Sequence, residues 1–479
     1  MLSDARPDAV PDAVPDAGSV PAEPWRTLLG TDAARVRALV ERYDRPGPRY
    51  TSYPPVTAWR PMAPAEYRER LARVCARPDA LSLYVHLPFC ASRCLYCGCT
   101  AAVTRRTDVV EAYLGRLLRE ADLVCDWLGT GQRVTQLHLG GGTPNLLDDR
   151  QLVRAMRMLT DRFDVGPGAE LSIEADPRLV TPSQLRTLVT LGFRRISFGV
   201  QDLDPGVQTA IGREQPAALV RDVVARSRDA GFEGVNVDLI YGLPLQSADT
   251  FARTLDDVAS RMRPDRIACF GYAHVPWARP HQRRIDEAAL PGAEARFALF
   301  AQAVERLTDA GYAWIGLDHF ALPHDALAQA QRAGRLTRDF MGYTTRPARH
   351  LVGLGVSSIG EVDGAFVQSA AKLGDWQRAV DAGELPVVRG HQLDADDLHR
   401  REAIVGLMCD LAVPESLVPR DATTQRALAA LEADGLVAWS GASLRVTRLG
   451  RFFLRNVCMA FDATLARSDA GEGAASGTE

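Results

Sequence analysis

The sequence predicts an α/β protein built on parallel strand–helix units, and three observations carry that reading. Short β-branched runs at 81–87, 134–139, 170–174, 195–200, 234–240 and 265–272 alternate with longer helical patterns, the order a parallel sheet imposes on its crossovers. The runs end in loops of Gly, Asp, Glu, Gln or Cys, as expected where one face of a barrel gathers functional residues at the C-terminal ends of its strands. From about 375 the pattern turns to helical segments at 398–411 and 423–434, with a stretch at 436–446 that reads as a hairpin. A separate, mostly helical C-terminal domain follows from that change.

In chain order, residues 1–25 repeat Pro-Asp-Ala-Val and bury too little apolar surface to order themselves, so they read as a disordered tail. Residues 26–80 form an N-terminal extension, 81–374 the barrel and 375–462 the helical domain. The Gly-, Ala- and Ser-rich segment 463–479 reads as a second tail. The amphipathic stretch Gly450 to Met459 is expected to pack against the barrel.

With 479 residues, 46% of them hydrophobic, the chain can bury a large core. Its net charge of -4 offers no basic stripe for nucleic acid. No apolar run is long enough for a membrane span and no secretory signal is written, which points to the cytoplasm. Nine cysteines, four of them between Cys90 and Cys99, suit a metal site in a reducing compartment better than a disulfide framework. Lys372 is the only lysine and lies in a polar Ala-Lys-Leu-Gly-Asp stretch, which excludes P-loop and Schiff-base chemistry.

Cys90-Ala-Ser-Arg-Cys94-Leu-Tyr-Cys97-Gly-Cys99 follows the first strand directly. Three thiolates in one tight loop can hold three irons of a [4Fe-4S] cube and leave the fourth iron open. The open iron can chelate S-adenosylmethionine, so that an electron from the cluster breaks the sulfonium bond and releases a 5′-deoxyadenosyl radical. The alternative is a four-cysteine zinc site that includes Cys99, although zinc wants cysteine pairs separated by a longer stretch. Cys99 itself, one residue beyond Cys97, is expected to be a free thiol that acts in turnover.

Gly140-Gly141-Gly142-Thr143-Pro144 ends the second run. Glu174, Gln201 and Asp238 end the next ones, where a bound polar ligand competes with the reading of a solvated loop residue or helix cap. Arg213 could pair with a ligand carboxylate or face water. His86 and His138 read as satisfied structural histidines near the site.

The cysteine loop, with aromatic Tyr96 before the third cysteine, resembles that of the radical S-adenosylmethionine superfamily. Gly47-Pro-Arg-Tyr-Thr-Ser-Tyr-Pro54, Tyr84-Val-His-Leu-Pro-Phe-Cys90, Ile240-Tyr-Gly-Leu-Pro, Phe340-Met-Gly-Tyr-Thr-Thr and Arg455-Asn-Val-Cys-Met459 are similar to the oxygen-independent coproporphyrinogen III oxidase family, and the likeness runs from about Tyr43 to Leu465. The resemblance implies a (β/α)6 partial TIM-type barrel flanked by N- and C-terminal elements. It also implies two S-adenosylmethionine molecules, one on a [4Fe-4S] cluster held by Cys90, Cys94 and Cys97 and one beside it.

On motif match, Tyr84, Tyr96, Gly141, Gly142, Thr143, Glu174, Gln201, Arg213, Asp238, Ala273 and Ile359 would line those cofactor sites, with Glu174 and Cys99 needed for turnover. Tyr96 and Met341 depart from the family pattern, which more often has phenylalanine and, in some members, glutamine there. The implied reaction is oxidative decarboxylation of two propionates of coproporphyrinogen III to vinyl groups, in a monomer served by an electron donor such as a flavodoxin. Arg49 is a candidate for a substrate carboxylate. Haem chaperones share the barrel and cysteine loop without this activity, but usually lack Cys99 and the Arg-Tyr-Thr-Ser-Tyr-Pro segment. A haem-degrading or methyl-transferring relative is the third reading.

Overall fold

The computed structural model describes residues 33–77 and 79–465. All six expected strands form: β1 (Leu81–Leu87), β2 (Gln132–Gly141), β3 (Glu170–Ala175), β4 (Phe193–Gln201), β5 (Gly234–Tyr241) and β6 (Arg266–Gly271). They lie side by side in chain order and every neighbouring pair is parallel. Helices carry the chain back between them, and local chemistry starts several of those helices. Asp148 with Gln151 and Ser247 with Thr250 form capping boxes, and Thr181 and Asp204 cap helices that open with proline.

Strand pleating then divides the residues between two faces. In β1, Leu81, Leu83, Val85 and Leu87 are buried in the main core with Leu114, Leu117 and Leu128 of the helix Thr107–Leu128. Their neighbours Ser82, Tyr84 and His86 point to the opposite face. The main core therefore sits between the sheet and its helices, and the polar side chains share the other face.

The six parallel strands are part of a longer sheet. Beyond β1 it continues through the parallel strand His350–Leu354 and then the antiparallel strands Ile359–Val362, Ala365–Ser369 and Val387–Gln392. Beyond β6 it gains the antiparallel strands His319–Ala321 and Ala313–Ile315. Among the described residues the two edges do not pair with each other, so six units do not close a barrel; they form the centre of an open, mostly parallel sheet.

The added strands are short and contain glycines demanded by close approach. A Cβ at Gly353 would lie 2.6 Å from the Ile359 carbonyl oxygen, and one at Gly360 would lie 2.6 Å from that of Leu351. Glycine at those positions thins the alternating apolar pattern by which strands are recognised.

The expected boundary at 375 falls inside the helix Leu373–Asp381, which belongs to the sheet body. Trp376 of that helix is fully buried, with its ring 4.7 Å from that of Tyr113. The helical region begins at Ala395 instead, with helices Ala395–Asp410, Ala422–Ala433 and Leu454–Met459 and the expected hairpin, Val437–Ser440 with Ser443–Val446.

A second core joins this region to the N-terminal helix Ala33–Tyr43 through Val36, Leu39, Ile404, Leu407, Leu431 and Val457. The Arg-Tyr-Thr-Ser-Tyr-Pro segment ties the same parts together: the Tyr50 hydroxyl donates to Asp462 at 2.9 Å and the Ala463 N–H donates to the Tyr53 hydroxyl at 3.2 Å. The amphipathic stretch after Gly450 packs into this second core, and Phe452 also meets Phe300 and Trp314 at the sheet body. The tail at 1–25 and most of that at 463–479 lie outside the described residues. No described helix is long and apolar enough to cross a membrane.

Candidate active site

Parallel register sets the site's geometry. Tyr84, His138 and Ser172 occupy one cross-strand row, Glu174, Ser197 and Asn236 a second, and Gly199, Asp238 and Ala268 a third nearer the C-terminal ends. A cavity of about 260 Å3 is lined by His138, Glu174, Ser197, Asp238 and Met341. Glu174 is anchored at both oxygens: the Gly141 N–H donates to Oε2 at 3.0 Å and His138 Nε2 lies 3.4 Å from Oε1. Burial alone would raise this carboxyl, but His138 and the Gly141 N–H outweigh it and hold Glu174 below the usual range.

Behind Glu174, His138 Nδ1 is 2.7 Å from the Ser172 hydroxyl and the Tyr84 ring stacks on the His138 ring. The Tyr84 hydroxyl is 3.0 Å from His86 Nδ1, and His86 Nε2 is 2.9 Å from the Thr100 carbonyl oxygen. Burial lowers the His86 pKa and favours its neutral form. Both histidines are therefore satisfied by partners, as read from the sequence, and both brace the acid.

Asp238 accepts from Ser197 Oγ at 3.0 Å and from Asn236 Nδ2 at 2.8 Å. Burial first and the Glu174 charge second push its pKa up to about 6.

Close approach requires glycine at two positions of the triplet. A Cβ at Gly141, whose φ is +114°, would lie 2.7 Å from the His86 ring, and one at Gly142 would lie 2.7 Å from the backbone of Pro88. The Gly142 N–H donates to the Leu87 carbonyl oxygen at 2.9 Å, which seats the triplet against the root of the cysteine loop.

Each of the first three cysteine sulfurs meets one donor. The Thr143 hydroxyl donates to Cys90 Sγ at 3.2 Å, Arg213 Nη1 to Cys94 Sγ at 3.4 Å and the Cys99 N–H to Cys97 Sγ at 3.4 Å. Fixed donors favour thiolates, so this donor set fits sulfur ligation of an iron–sulfur cluster. The Cys99 thiol stands on the other side of such a bond: its hydrogen bond to Cys97 is the first cause that brings Cys97 down to about 6 and raises Cys99 itself. Among the described residues no three His, Cys, Asp or Glu side chains converge as a single bound ion requires. The ligands of a cube attach to separate irons and need not converge on one point.

Arg213 is buried. Burial works against its cation, but Tyr96, Asp176 and Cys94 outweigh that and hold it protonated. Its Nη1 lies 3.3 Å from Asp176 Oδ2 and its Nη2 donates to the Gly199 carbonyl oxygen at 2.6 Å. Gln201 ends β4 with φ +69°, a left-handed conformation that a non-glycine residue keeps only under constraint. A Cβ at Gly199 would lie 2.8 Å from Gln201 Nε2, so that glycine makes room for both side chains.

Two expected residues stand apart. Ile359 packs with Val56, Trp59 and Phe366 on the strand two places beyond β1. Ala273 follows β6 at the opposite side and lines a different cavity.

Sequence reasoning missed the clamp on the cysteine loop. Gln282 Nε2 donates to the carbonyl oxygens of Tyr96 at 2.9 Å and Ala273 at 3.2 Å, while His281 Nε2 lies 2.8 Å from the Cys97 carbonyl oxygen. No spacing rule marks these residues, because they act from nearly two hundred positions downstream.

Comparison with known proteins agrees with this geometry. Residues 84–258 match the radical SAM superfamily model. The oxygen-independent coproporphyrinogen III oxidase of Synechocystis sp. is 40% identical over 441 residues, covering 89% of this chain and 94% of the relative. The Escherichia coli protein of the same description is 39% identical over 438 residues, covering 89% and 95%. The solved structure of Escherichia coli coproporphyrinogen III oxidase, described as a radical SAM enzyme, aligns with a TM-score of 0.83 at 38% identity, covering 89% of this chain and 98% of that one. With its cysteine loop, its parallel sheet and this near full-length likeness, the chain belongs to the oxygen-independent coproporphyrinogen III oxidase family of radical SAM enzymes.

Proposed function

We propose that this chain converts coproporphyrinogen III to protoporphyrinogen IX without oxygen, by oxidative decarboxylation of two propionates in haem biosynthesis. The observation that carries it is the set of three sulfurs, each with its own donor, beside a polar cavity anchored by Glu174. The near full-length similarity to oxidases agrees, and the chaperone reading is not favoured.

In this reading Cys90, Cys94 and Cys97 hold a [4Fe-4S] cluster. Such a cluster, with S-adenosylmethionine bound, would supply the reducing electron and with it the hydrogen-abstracting chemistry of the site. Thr143, Arg213 and the Cys99 N–H each donate to one of the three sulfurs. Glu174, Gln201 and Asp238 offer acceptors and donors for the cofactor's amino acid and ribose groups, with Gly141 and Gly142 fixing the approach of the backbone. Tyr84 and Tyr96 wall the site. A second S-adenosylmethionine would be met by Met341, Ala273 and Ile359. Each propionate gives up one hydrogen atom from the carbon next to the macrocycle, one carbon dioxide and one electron, and leaves a vinyl group. An electron donor such as a flavodoxin, a monomeric state and a cytoplasmic location complete the reading.

The test is anaerobic incubation of the reconstituted protein with coproporphyrinogen III, S-adenosylmethionine and a reductant. Divinyl product supports the oxidase. Tight haem binding without turnover would put the chaperone in its place.

A further inference from the structure

A second cavity, of about 490 Å3, lies beside the first, at the ends of β5 and β6, where segment 45–49 meets segment 451–456. Its size is that of a small-molecule site. Arg49, Arg451 and Arg455 all reach its wall. Arg49 donates to the Gly271 carbonyl oxygen at 3.1 Å and lies over the Phe270 ring. Arg451 lies 3.9 Å over Trp314 and donates to that residue's carbonyl oxygen. The Nε atoms of Arg451 and Arg455 are buried without a hydrogen-bond partner.

The wall carries two carboxylates, Asp44 and Asp318, against five arginines. Asp44 is taken by Arg296 at 2.8 Å, and Asp318 accepts from His319 Nδ1 at 2.7 Å. Like cations gathered in a part-buried space are costly unless an anion joins them. Burial lowers the Arg49 pKa, Asp318 works against that, and Arg455 adds to the lowering. The rest of the wall is flat and aromatic, and Trp277 is 61% exposed on it. Tyr272 of this wall packs in one apolar group with Tyr96 of the cysteine loop, so the cavity borders the cluster site.

We propose that this cavity seats the propionate carboxylates of the tetrapyrrole substrate, with Arg49 and Arg455 holding them and Trp277 lying against the macrocycle. The proposal rests on the decarboxylase reading and adds where the substrate is gripped. The excess of cations selects a polycarboxylate, and the aromatic wall selects a flat apolar body.

The experiment titrates the reconstituted holoprotein with coproporphyrin III, the air-stable tetracarboxylate, by fluorescence quenching. The tetramethyl ester serves as the uncharged comparison. Arg49→Met and Arg455→Met should each weaken coproporphyrin III binding by at least about tenfold, the scale of a lost charge-assisted hydrogen bond. Iron content and circular dichroism should match the parent, and Arg49→Lys should recover part of the loss. Trp277→Ala, on the surface, should weaken the acid and the ester alike. Should an arginine variant lose iron, Arg49→Lys and Trp277→Ala carry the test in its place.

Unchanged affinity in the arginine variants, or an ester that binds the parent as tightly as the acid, would overturn the assignment. If turnover persists alongside that result, only the binding site is wrong. A parent that neither binds coproporphyrin III nor turns over coproporphyrinogen III removes the decarboxylase reading as well.

Discussion

Asp238→Asn is expected to stabilise the protein while disabling it. Burial and the Glu174 charge raise the Asp238 carboxyl from 3.8 to about 6. At about 1.4 kcal/mol per tenfold change in proton affinity, the folded state carries a cost of about 3 kcal/mol when this group is ionised. Asparagine keeps the shape and removes the charge. It also turns an amide N–H2 toward one of the two donors that now serve the carboxylate, Ser197 Oγ at 3.0 Å or Asn236 Nδ2 at 2.8 Å. That mismatch costs about 1 kcal/mol, so the net gain is about 2 kcal/mol.

The folded-state pKa is raised, so the penalty is absent below pH 3.8, grows between 3.8 and about 6 and is complete above that. Anaerobic scanning calorimetry at pH 5 and pH 8 reads the effect. The variant should melt higher by a few degrees at pH 8 and by less at pH 5, and S-adenosylmethionine should protect it less than it protects the parent. A variant less stable than the parent at pH 8, or a gain independent of pH, would refute the reasoning.

Three further outcomes follow from the geometry. Gly142→Ala drives a methyl to within 2.7 Å of the Pro88 backbone, so it should lower the melting temperature by the equivalent of about 1–3 kcal/mol and reduce cluster iron on reconstitution; parent-like iron and stability would contradict the close-packing account. Met341→Gln places an amide in the cavity shared with Glu174 and Asp238, and turnover should be kept or improved; abolished turnover would mean that this wall is built differently from its relatives. Cys99→Ser should keep iron and bound S-adenosylmethionine yet form little divinyl product, and loss of iron would make Cys99 a ligand.

The parallel centre of the sheet was legible because each strand there is long, β-branched and followed by a helix. All six runs formed, with no end moved by more than two residues. The flanking strands were not legible: Ile359–Val362 and Ala313–Ile315 are four and three residues long, and Gly353 and Gly360 break the apolar alternation where backbones touch. The cysteine loop was readable from spacing alone. Its donors were not, because Arg213 reaches Cys94 from 119 positions away and the Gln282 clamp reaches Tyr96 from 186. Ala273 and Ile359 were named by motif match alone, and they lie beyond opposite ends of the six-strand array.

The most direct test of the account follows the hydrogen atom. Coproporphyrinogen III deuterated at the propionate carbons next to the macrocycle is incubated anaerobically with the reconstituted protein, S-adenosylmethionine and reductant, and the 5′-deoxyadenosine and porphyrin products are analysed by mass spectrometry. The account predicts deuterium in 5′-deoxyadenosine together with a divinyl product that has lost two carbon dioxides. Unlabelled 5′-deoxyadenosine accompanied by divinyl product, or substrate recovered intact by a protein with a full cluster, would contradict it.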